Sequence, residues 1–138
     1  MNYINQNKIQ RQPLSLHWTH KGGLNMEIVR GDNKSFKFQR KDKNGVVITT
    51  QPDEIYFTVK KDSTFSDALI QKSLKAGTIT YDKPTQYYSF ELTPSDTDNL
   101  SYGEYGYDIE IIVGGKKKTI VVGKLKVTEE YTHTINEV

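Results

Sequence analysis

The sequence predicts an all-β fold, an antiparallel β-sandwich of about eight short strands with one short helical turn. Short runs in which apolar and polar residues alternate recur along the chain, and Gly, Asn, Asp and Pro turn signals separate them. No helix-length run connects two strands as a parallel sheet requires. Because 138 residues fit one domain, we place the sandwich at 26–130, between an irregular N-terminal extension (1–25) and a C-terminal tail (131–138).

The first half of the domain contains a patterned hairpin and one very clear strand. Alternation in 35–40 puts Phe36 and Phe38 on one face. Residues 42–45 (Asp-Lys-Asn-Gly) follow as a hairpin turn, because Asn and Gly both tolerate positive φ. We expect the chain to return as a β-branched strand at 46–49. The other predicted strands of this half are 27–30 and 54–60, the latter with Ile55, Phe57 and Val59 inward.

The second half shows the same alternation and ends in a long hairpin. One helical turn is expected at 94–100, because Thr93 can cap it and Pro94 suits its first position. A Gly-Gly pair at 114–115 joins the last two strands, and Gly123 predicts a β-bulge. The predicted strands are 68–74 (an edge strand), 78–81, 87–92 (with Tyr88, Phe90 and Leu92 inward), 104–113 and 118–128.

The first 25 residues differ from the rest, since they are polar and have no clear period. Residues 21–26 can be encoded by a bacterial ribosome-binding sequence followed, at ordinary spacing, by a start codon. We therefore hypothesise that Met26 is the natural start. The alternative is a genuine N-terminal arm that packs on a neighbouring subunit through Leu14, Leu16 and Trp18.

Composition excludes several classes of function. Only 35% of the residues are hydrophobic, so the 9 Tyr and 5 Phe must form much of the core. A net charge of +2 gives no indication of binding to nucleic acid or to a membrane surface. No apolar run approaches the roughly 20 residues that span a bilayer. The absence of cysteine excludes disulfides and thiolate metal sites. No signal peptide is recognisable, so we expect a soluble protein made in the cytoplasm.

No catalytic, metal or cofactor site is predicted. The three histidines have no metal-ligand spacing, since His17 and His20 lie in the extension and His133 in the tail. Acidic residues 82, 96 and 98 lack the spacing of a calcium-binding loop, in which every second residue is a ligand and a glycine makes the turn. No Ser-His-Asp or Cys-His arrangement, phosphate-binding glycine loop or carboxylate pair is visible.

Three surface features have both a functional and a simpler interpretation. Residues 30–32 spell the integrin-binding tripeptide Arg-Gly-Asp, but a turn with glycine at its apex explains them better. The three lysines at 116–118 are typical of a solubilising turn. Tyr81, Tyr87, Tyr88 and Tyr102 form a candidate sugar-binding strip, although alternation puts Tyr88 in the core. Tyr87 and Tyr102 are therefore the candidate ligand-facing residues.

Residues 98–109 resemble the corner that enters the penultimate strand of immunoglobulin-like domains. In that corner a tyrosine near the start of the strand hydrogen-bonds back to the corner backbone. Tyr105 occupies this position, with Leu100 and Gly103 completing the corner, and Tyr107 stands where an antibody domain would have cysteine. The resemblance implies an immunoglobulin-like sandwich that lacks the disulfide joining the two sheets of antibody domains.

The wider layout is similar to a family of small immunoglobulin-like proteins encoded in phage and prophage structural-gene clusters, akin to the N-terminal sandwich domain of upper baseplate proteins. The similarity spans about residues 26–128 and rests on the shared order of several weak motifs. These motifs are residues 30–32, 42–45, 55–60, 68–71, 92–97, 100–109 and 123–128.

This resemblance implies a non-enzymatic structural protein, associated with a phage tail or baseplate and located in the virion after assembly in the bacterial cytoplasm. It implies no cofactor, and the expected partners are other phage structural proteins or further copies of the chain. We expect assembly through strand edges, namely 27–30, 68–74 and the final strand. The alternatives are a carbohydrate-binding or host-adhesion module and an accessory domain of an enzyme.

Overall fold

Two packed β-sheets and one short helix make up the computed structural model, which describes residues 24–62 and 67–129 together with the backbone of 14–16. The predicted all-β, sandwich-like character is confirmed. Apart from 46–49, every predicted strand matches an observed strand to within two residues at each end. The elements are β1 (Leu14–Leu16), β2 (Met26–Val29), β3 (Lys34–Phe38), β4 (Glu54–Lys60), β5 (Ile70–Ser73), β6 (Ile79–Asp82), β7 (Tyr87–Leu92), α1 (Pro94–Thr97), β8 (Gly103–Val113) and β9 (Lys116–Thr128).

The strand order is β1-β3-β7-β6 in one sheet and β2-β9-β8-β4-β5 in the other. The central pairs are antiparallel, and the β8–β9 hairpin turns through Gly114 and Gly115, which both have the positive φ that a two-residue turn needs. The expectation of a wholly antiparallel sandwich is wrong, because β1 pairs parallel with β3 and β2 pairs parallel with β9. Both exceptions involve strands near the N-terminus, which enter at the outer edges of the sheets.

The core lies between the two sheets and is rich in aromatic rings. Phe57 from one sheet stacks on Phe90 from the other, with ring centroids 4.3 Å apart. Phe38 stacks on Tyr88 at 5.3 Å. Each fully buried side chain of this size contributes about 1.5–3 kcal/mol relative to exposure. The residues predicted to face inward, Phe36, Phe38, Ile55, Phe57, Val59, Tyr88, Phe90 and Leu92, are all buried.

The predicted strand at 46–49 does not form. The turn before it is present, with Gly45 at φ 84°, but only one isolated bridge, between Lys41 and Val47, follows. The Asp42 carboxylate accepts the N–H groups of Asn44 and Val46 at 2.8 and 3.0 Å, and Val46 is 60% exposed. A β-branched run with no sheet beside it therefore remains part of a long loop over 39–53.

Gly123 does not mark a bulge. It pairs regularly with Tyr107, and the irregularity of the β8–β9 ladder falls opposite the step between Ile109 and Glu110. Glycine is needed at 123 for close approach instead. A Cβ there would lie 2.7 Å from Cε2 of Tyr107 and closer still to the carbonyl oxygen of Leu24.

Of the predicted N-terminal extension, the structure describes the backbone of 14–16 and residues 24 and 25. Leu14–Leu16 forms β1, and Leu24 is buried in the core at 7% exposure. Met26 is the first residue of β2 and is buried. The packed unit therefore begins before Met26.

The loops gather at two ends of the sandwich. At the hairpin end, Asp53 accepts the N–H of Gly114 at 2.9 Å and Gln39 donates to the carbonyl of Thr85 at 3.2 Å. These bonds bring the loop 39–53, the turn 83–86 and the β8–β9 turn together. At the corner end, the turn 30–33 meets the segment 93–102.

Candidate functional site

Tyr105 anchors the corner that leads into β8. Its hydroxyl donates to the carbonyl of Ser101 at 2.7 Å and lies 3.1 Å from Ser101 Oγ. The ring is 3% exposed, and Lys61 Nζ sits 4.6 Å from its centroid. Leu100 is buried beside it, and Gly103 has φ 134°, a conformation that favours glycine. The corner residues thus fix the direction in which the chain enters β8.

The Arg-Gly-Asp tripeptide forms a turn that is tied to this corner. Arg30 Nη1 donates to the carbonyl of Leu100 at 3.3 Å, and its guanidinium lies 4.3 Å from the ring centroid of Tyr102. Gly31, at φ 92°, donates its N–H to Thr97 Oγ1 at 3.1 Å. Arginine and glycine are therefore both engaged within the domain.

Tyr107 links β8 to the N-terminal segment. Its side chain crosses Gly123, and its hydroxyl donates to the carbonyl of Leu24. The ring also packs on Phe57, with centroids 5.6 Å apart. Burial raises the pKa of the Tyr107 phenol far above its ordinary value, an effect that the Leu24 hydrogen bond only partly offsets. Tyr107 thus joins two distant parts of the chain by a hydrogen bond.

The helical turn α1 is held by one carboxylate. Thr93 precedes it as the N-cap and Pro94 begins it, as expected, although the turn ends at Thr97 rather than at residue 100. Asp96 accepts the backbone N–H of Thr93 at 2.8 Å and pairs with Lys72 Nζ at 2.8 Å. Burial pushes the pKa of Asp96 up, but the bonds from Lys72 and Thr93 outweigh it, so the pKa is lowered overall.

The four tyrosines do not form one strip. Tyr88 is fully buried and Tyr81 packs against it, with centroids 4.6 Å apart. Tyr87 is the first residue of β7, at the hairpin end, and Lys37 Nζ lies 4.6 Å from the centroid of its ring. Tyr102 is 45% exposed at the corner end, where β7 finishes. The six residues of β7 separate the two ends by about 17 Å along the strand, so Tyr87 and Tyr102 cannot share one sugar ring.

The strand edges are the most distinctive surface feature. β2 and β5 lie at the outer edges of the larger sheet, whereas β9 lies inside it. The pairing of β2 with β9 covers only Leu125 to Thr128 of β9, because β2 is short. No backbone hydrogen bond joins the remaining edge, over 116–122, to another part of the described chain. Among the described residues, the stretch 116–122 of β9 therefore pairs with β8 alone.

A groove runs between β9 and the loop 39–53. Its volume is about 720 Å³. Isoleucines form its apolar lining, and basic side chains flank it on both sides. The lining residues are Arg40, Lys41, Asp42, Lys43, Ile48, Ile111, Lys118, Thr119 and Ile120. The three lysines at 116–118 are visible in the sequence but the groove is not, since nothing in the sequence indicates that loop 39–53 lies opposite them.

A shallower depression of about 370 Å³ lies on the outer face of the larger sheet, where Gly106 has no side chain. Asp108 lies in it, with Lys60 and Lys124 nearby. Burial raises the pKa of Asp108 and Glu110 raises it further, while Lys60 acts in the opposite direction. A carboxylate on this face therefore lowers stability at neutral pH.

The described residues contain no cluster of three or more side chains suited to a metal ion. Asp82 accepts the N–H of Thr85 at 3.1 Å and lies at the hairpin end, whereas Asp96 and Asp98 lie at the corner end. The three histidines fall outside the described residues. Within 24–62 and 67–129, no helix has the length and apolar character needed to cross a membrane.

Comparison with known proteins adds no assignment. No protein-family model matches the chain, and no curated protein does so either.

Proposed function

We propose that the chain is an immunoglobulin-like sandwich. In that fold, strands A, B, E and D form one sheet and C, F and G the other, with C′ added in variable-type domains. Taking β3, β7 and β6 as B, E and D, and β9, β8, β4 and β5 as G, F, C and C′, gives neighbours in the observed order. The Tyr105–Ser101 bond lies at the E–F corner, two residues before Tyr107, which further supports the assignment.

The function that fits best is a non-enzymatic structural protein of a phage or prophage, associated with the tail or baseplate. The resemblance over residues 26–128 supports this proposal. The observation that carries an assembly role is the position of β2 and β5 at the outer edges of the larger sheet. An exposed strand edge presents N–H and C=O groups that a partner strand can pair with, so it acts as a template for assembly.

Tandem mass spectrometry of gradient-purified particles from an induced host tests this proposal. We expect peptides from 27–128 at a stoichiometry comparable to that of other tail proteins. The matched comparison is the unfractionated lysate, analysed at equal total protein. Clean absence from particles, with the chain abundant in the lysate, would contradict a virion role and favour a transient assembly factor. The most N-terminal peptide recovered also tests whether translation begins at Met26.

A further inference from the structure

The turn over residues 42–45 contains the only Asn-Gly pair of the sequence, Asn44 followed by Gly45. Both residues are exposed to solvent. Gly45 has φ 84°, and a Cβ added there would meet no atom within 4 Å. A glycine after an asparagine leaves the next backbone nitrogen unhindered, because no side chain stands between it and the amide. The turn therefore presents an amide carbon and a potential nucleophile next to each other in water.

The reaction open to such a pair is deamidation. The nitrogen of Gly45 gives its proton to a base in solution and forms a bond to Cγ of Asn44. The C–N bond of the side-chain amide breaks, and the leaving nitrogen takes a proton from solvent and departs as ammonia. Water then opens the cyclic imide at either of its carbonyls. The products are aspartate or isoaspartate, in which the main chain runs through the former side chain.

Asp42 holds the turn in a form from which this reaction cannot start. Its carbonyl accepts the N–H of Gly45 at 2.9 Å, so the hydrogen of the attacking nitrogen points at Asp42. Its carboxylate accepts the N–H groups of Asn44 and Val46 at 2.8 and 3.0 Å. Its own N–H donates to the carbonyl of Val46 at 2.9 Å. Deamidation therefore requires the turn to open, and the bonds on Asp42 determine how often it does so.

The turn opens more easily than the sheets unfold. Residues 43–46 are all exposed, so their movement removes no side chain from the core. Beyond the turn, the two arms of the loop are paired by one isolated bridge, between Lys41 and Val47. A segment with few buried contacts and exposed hydrogen bonds has a low free energy of local opening. We propose that Asn44 is a site of deamidation in the folded protein, with Asp42 controlling the rate.

The modification adds a negative charge and loosens the turn. Either product carries a carboxylate where Asn44 carries a neutral amide, next to Lys43. Isoaspartate also lengthens the main chain by one carbon, so the bonds from residues 44 and 46 to the Asp42 carboxylate cannot both keep their geometry. Loop 39–53 lines the groove beside β9, so both the charge and the shape of the hairpin end change. Deamidation needs no partner, and its presence or absence leaves the proposed virion role untouched.

Peptide mass spectrometry of the full folded chain, sampled over weeks at mildly alkaline pH, tests the proposal. The peptide that contains Asn44 should gain the mass difference between an amide and a carboxylic acid. A methyltransferase specific for isoaspartate should label the same peptide. Asn99 is the matched control, because it is also exposed but is followed by the branched side chain of Leu100. Its peptide should stay unchanged over the same period.

Asp42→Ala gives the sharpest result. We expect deamidation at Asn44 to become about tenfold faster or more, because hydrogen bonds from two N–H groups to a charged oxygen no longer oppose opening. Asp53→Ala removes another carboxylate of the same loop, one that accepts the N–H of Gly114 instead, and should leave the rate unchanged. Equal rates in the wild type and in Asp42→Ala would overturn the proposal.

The wild type unfolded in urea provides a comparison that depends on no variant. It should deamidate at Asn44 faster than the folded chain, because the bonds on Asp42 are then absent. If the folded chain keeps Asn44 intact after the unfolded chain has reacted completely, the folded turn does not open and the proposal is refuted. Equal rates in the folded and unfolded chains would refute the control by Asp42.

Discussion

The structure leaves no room for a side chain at Gly123. A Cβ there would lie 2.7 Å from Cε2 and 2.9 Å from the hydroxyl oxygen of Tyr107, and closer still to the carbonyl oxygen of Leu24. That hydroxyl and that carbonyl are the donor and acceptor of a buried hydrogen bond. Gly123→Ala must therefore separate them or push Leu24 away from β9.

The expected cost has two parts. Forcing an extra carbon into a packed site costs about 1–3 kcal/mol. Separating a buried hydroxyl from its acceptor costs about 1–3 kcal/mol more, because water does not replace the lost partner. We therefore expect Gly123→Ala to lower the free energy of unfolding by about 2–6 kcal/mol, a large fraction of the stability of a typical small domain. Urea unfolding of the full chain measures this as a lower midpoint at unchanged slope.

Gly106→Ala provides a matched control. Gly106 lies on the neighbouring strand opposite Lys124, and an added Cβ would meet nothing within 4 Å. We expect a change within about 0.5 kcal/mol. Tyr107→Phe removes the hydroxyl, so its effect and that of Gly123→Ala should be non-additive by about 1 kcal/mol in the double variant. If Gly123→Ala is as mild as Gly106→Ala, the Leu24 segment does not pack on β9 as described.

Three further predictions concern the corner, α1 and the outer sheet face. Tyr105→Phe should lower the free energy of unfolding by about 1 kcal/mol, measured by urea unfolding, because the Ser101 carbonyl loses its donor. Asp96→Asn should lower the free energy of unfolding by about 1 kcal/mol at pH 7. The pKa of Asp96 in the folded chain is lowered, so the stabilisation by its carboxylate is fully present above the ordinary pKa of 3.8 and is lost as the pH falls below it. Asp108→Asn should raise stability at pH 7 by about 0.5 kcal/mol. The pKa of Asp108 in the folded chain is raised, so the destabilisation by its carboxylate fades as the pH falls toward 3.8. Thermal unfolding at pH 7 and at pH 3 should therefore show that Asp108→Asn is more stable than the wild type only at pH 7. Equal effects of either substitution at pH 7 and pH 3 would contradict the corresponding pKa direction.

The local features of the fold were predictable because short-range patterns determine them. Alternation identified β4 and β7 to the residue, and the Gly-Gly pair identified the final hairpin. The same logic failed at 46–49, where pairing with 40–42 is limited to one bridge between Lys41 and Val47 and does not extend into a ladder. Intrinsic strand preference cannot show whether a neighbouring strand is present.

The features missed by sequence analysis all depend on contacts between distant residues. The parallel pairing of β2 with β9 joins residues near opposite ends of the chain. Tyr107 lies in the predicted strand 104–113, but its partner Leu24 lies in a segment that its polar composition assigned to an extension. The groove arises only when loop 39–53 and β9 come together. No sequence pattern within loop 39–53 or within β9 predicts the contact between them.

The crossing at Gly123 also fixes the start of the β2–β9 pairing. β2 follows β9 from Leu125 to Thr128, and two residues earlier the Leu24 carbonyl accepts the hydroxyl of Tyr107 across Gly123. The same close approach therefore holds the chain that leads into β2 against β9. Gly123→Ala should thus weaken the β2–β9 pairing as well as lower the free energy of unfolding, whereas Gly106→Ala should affect neither.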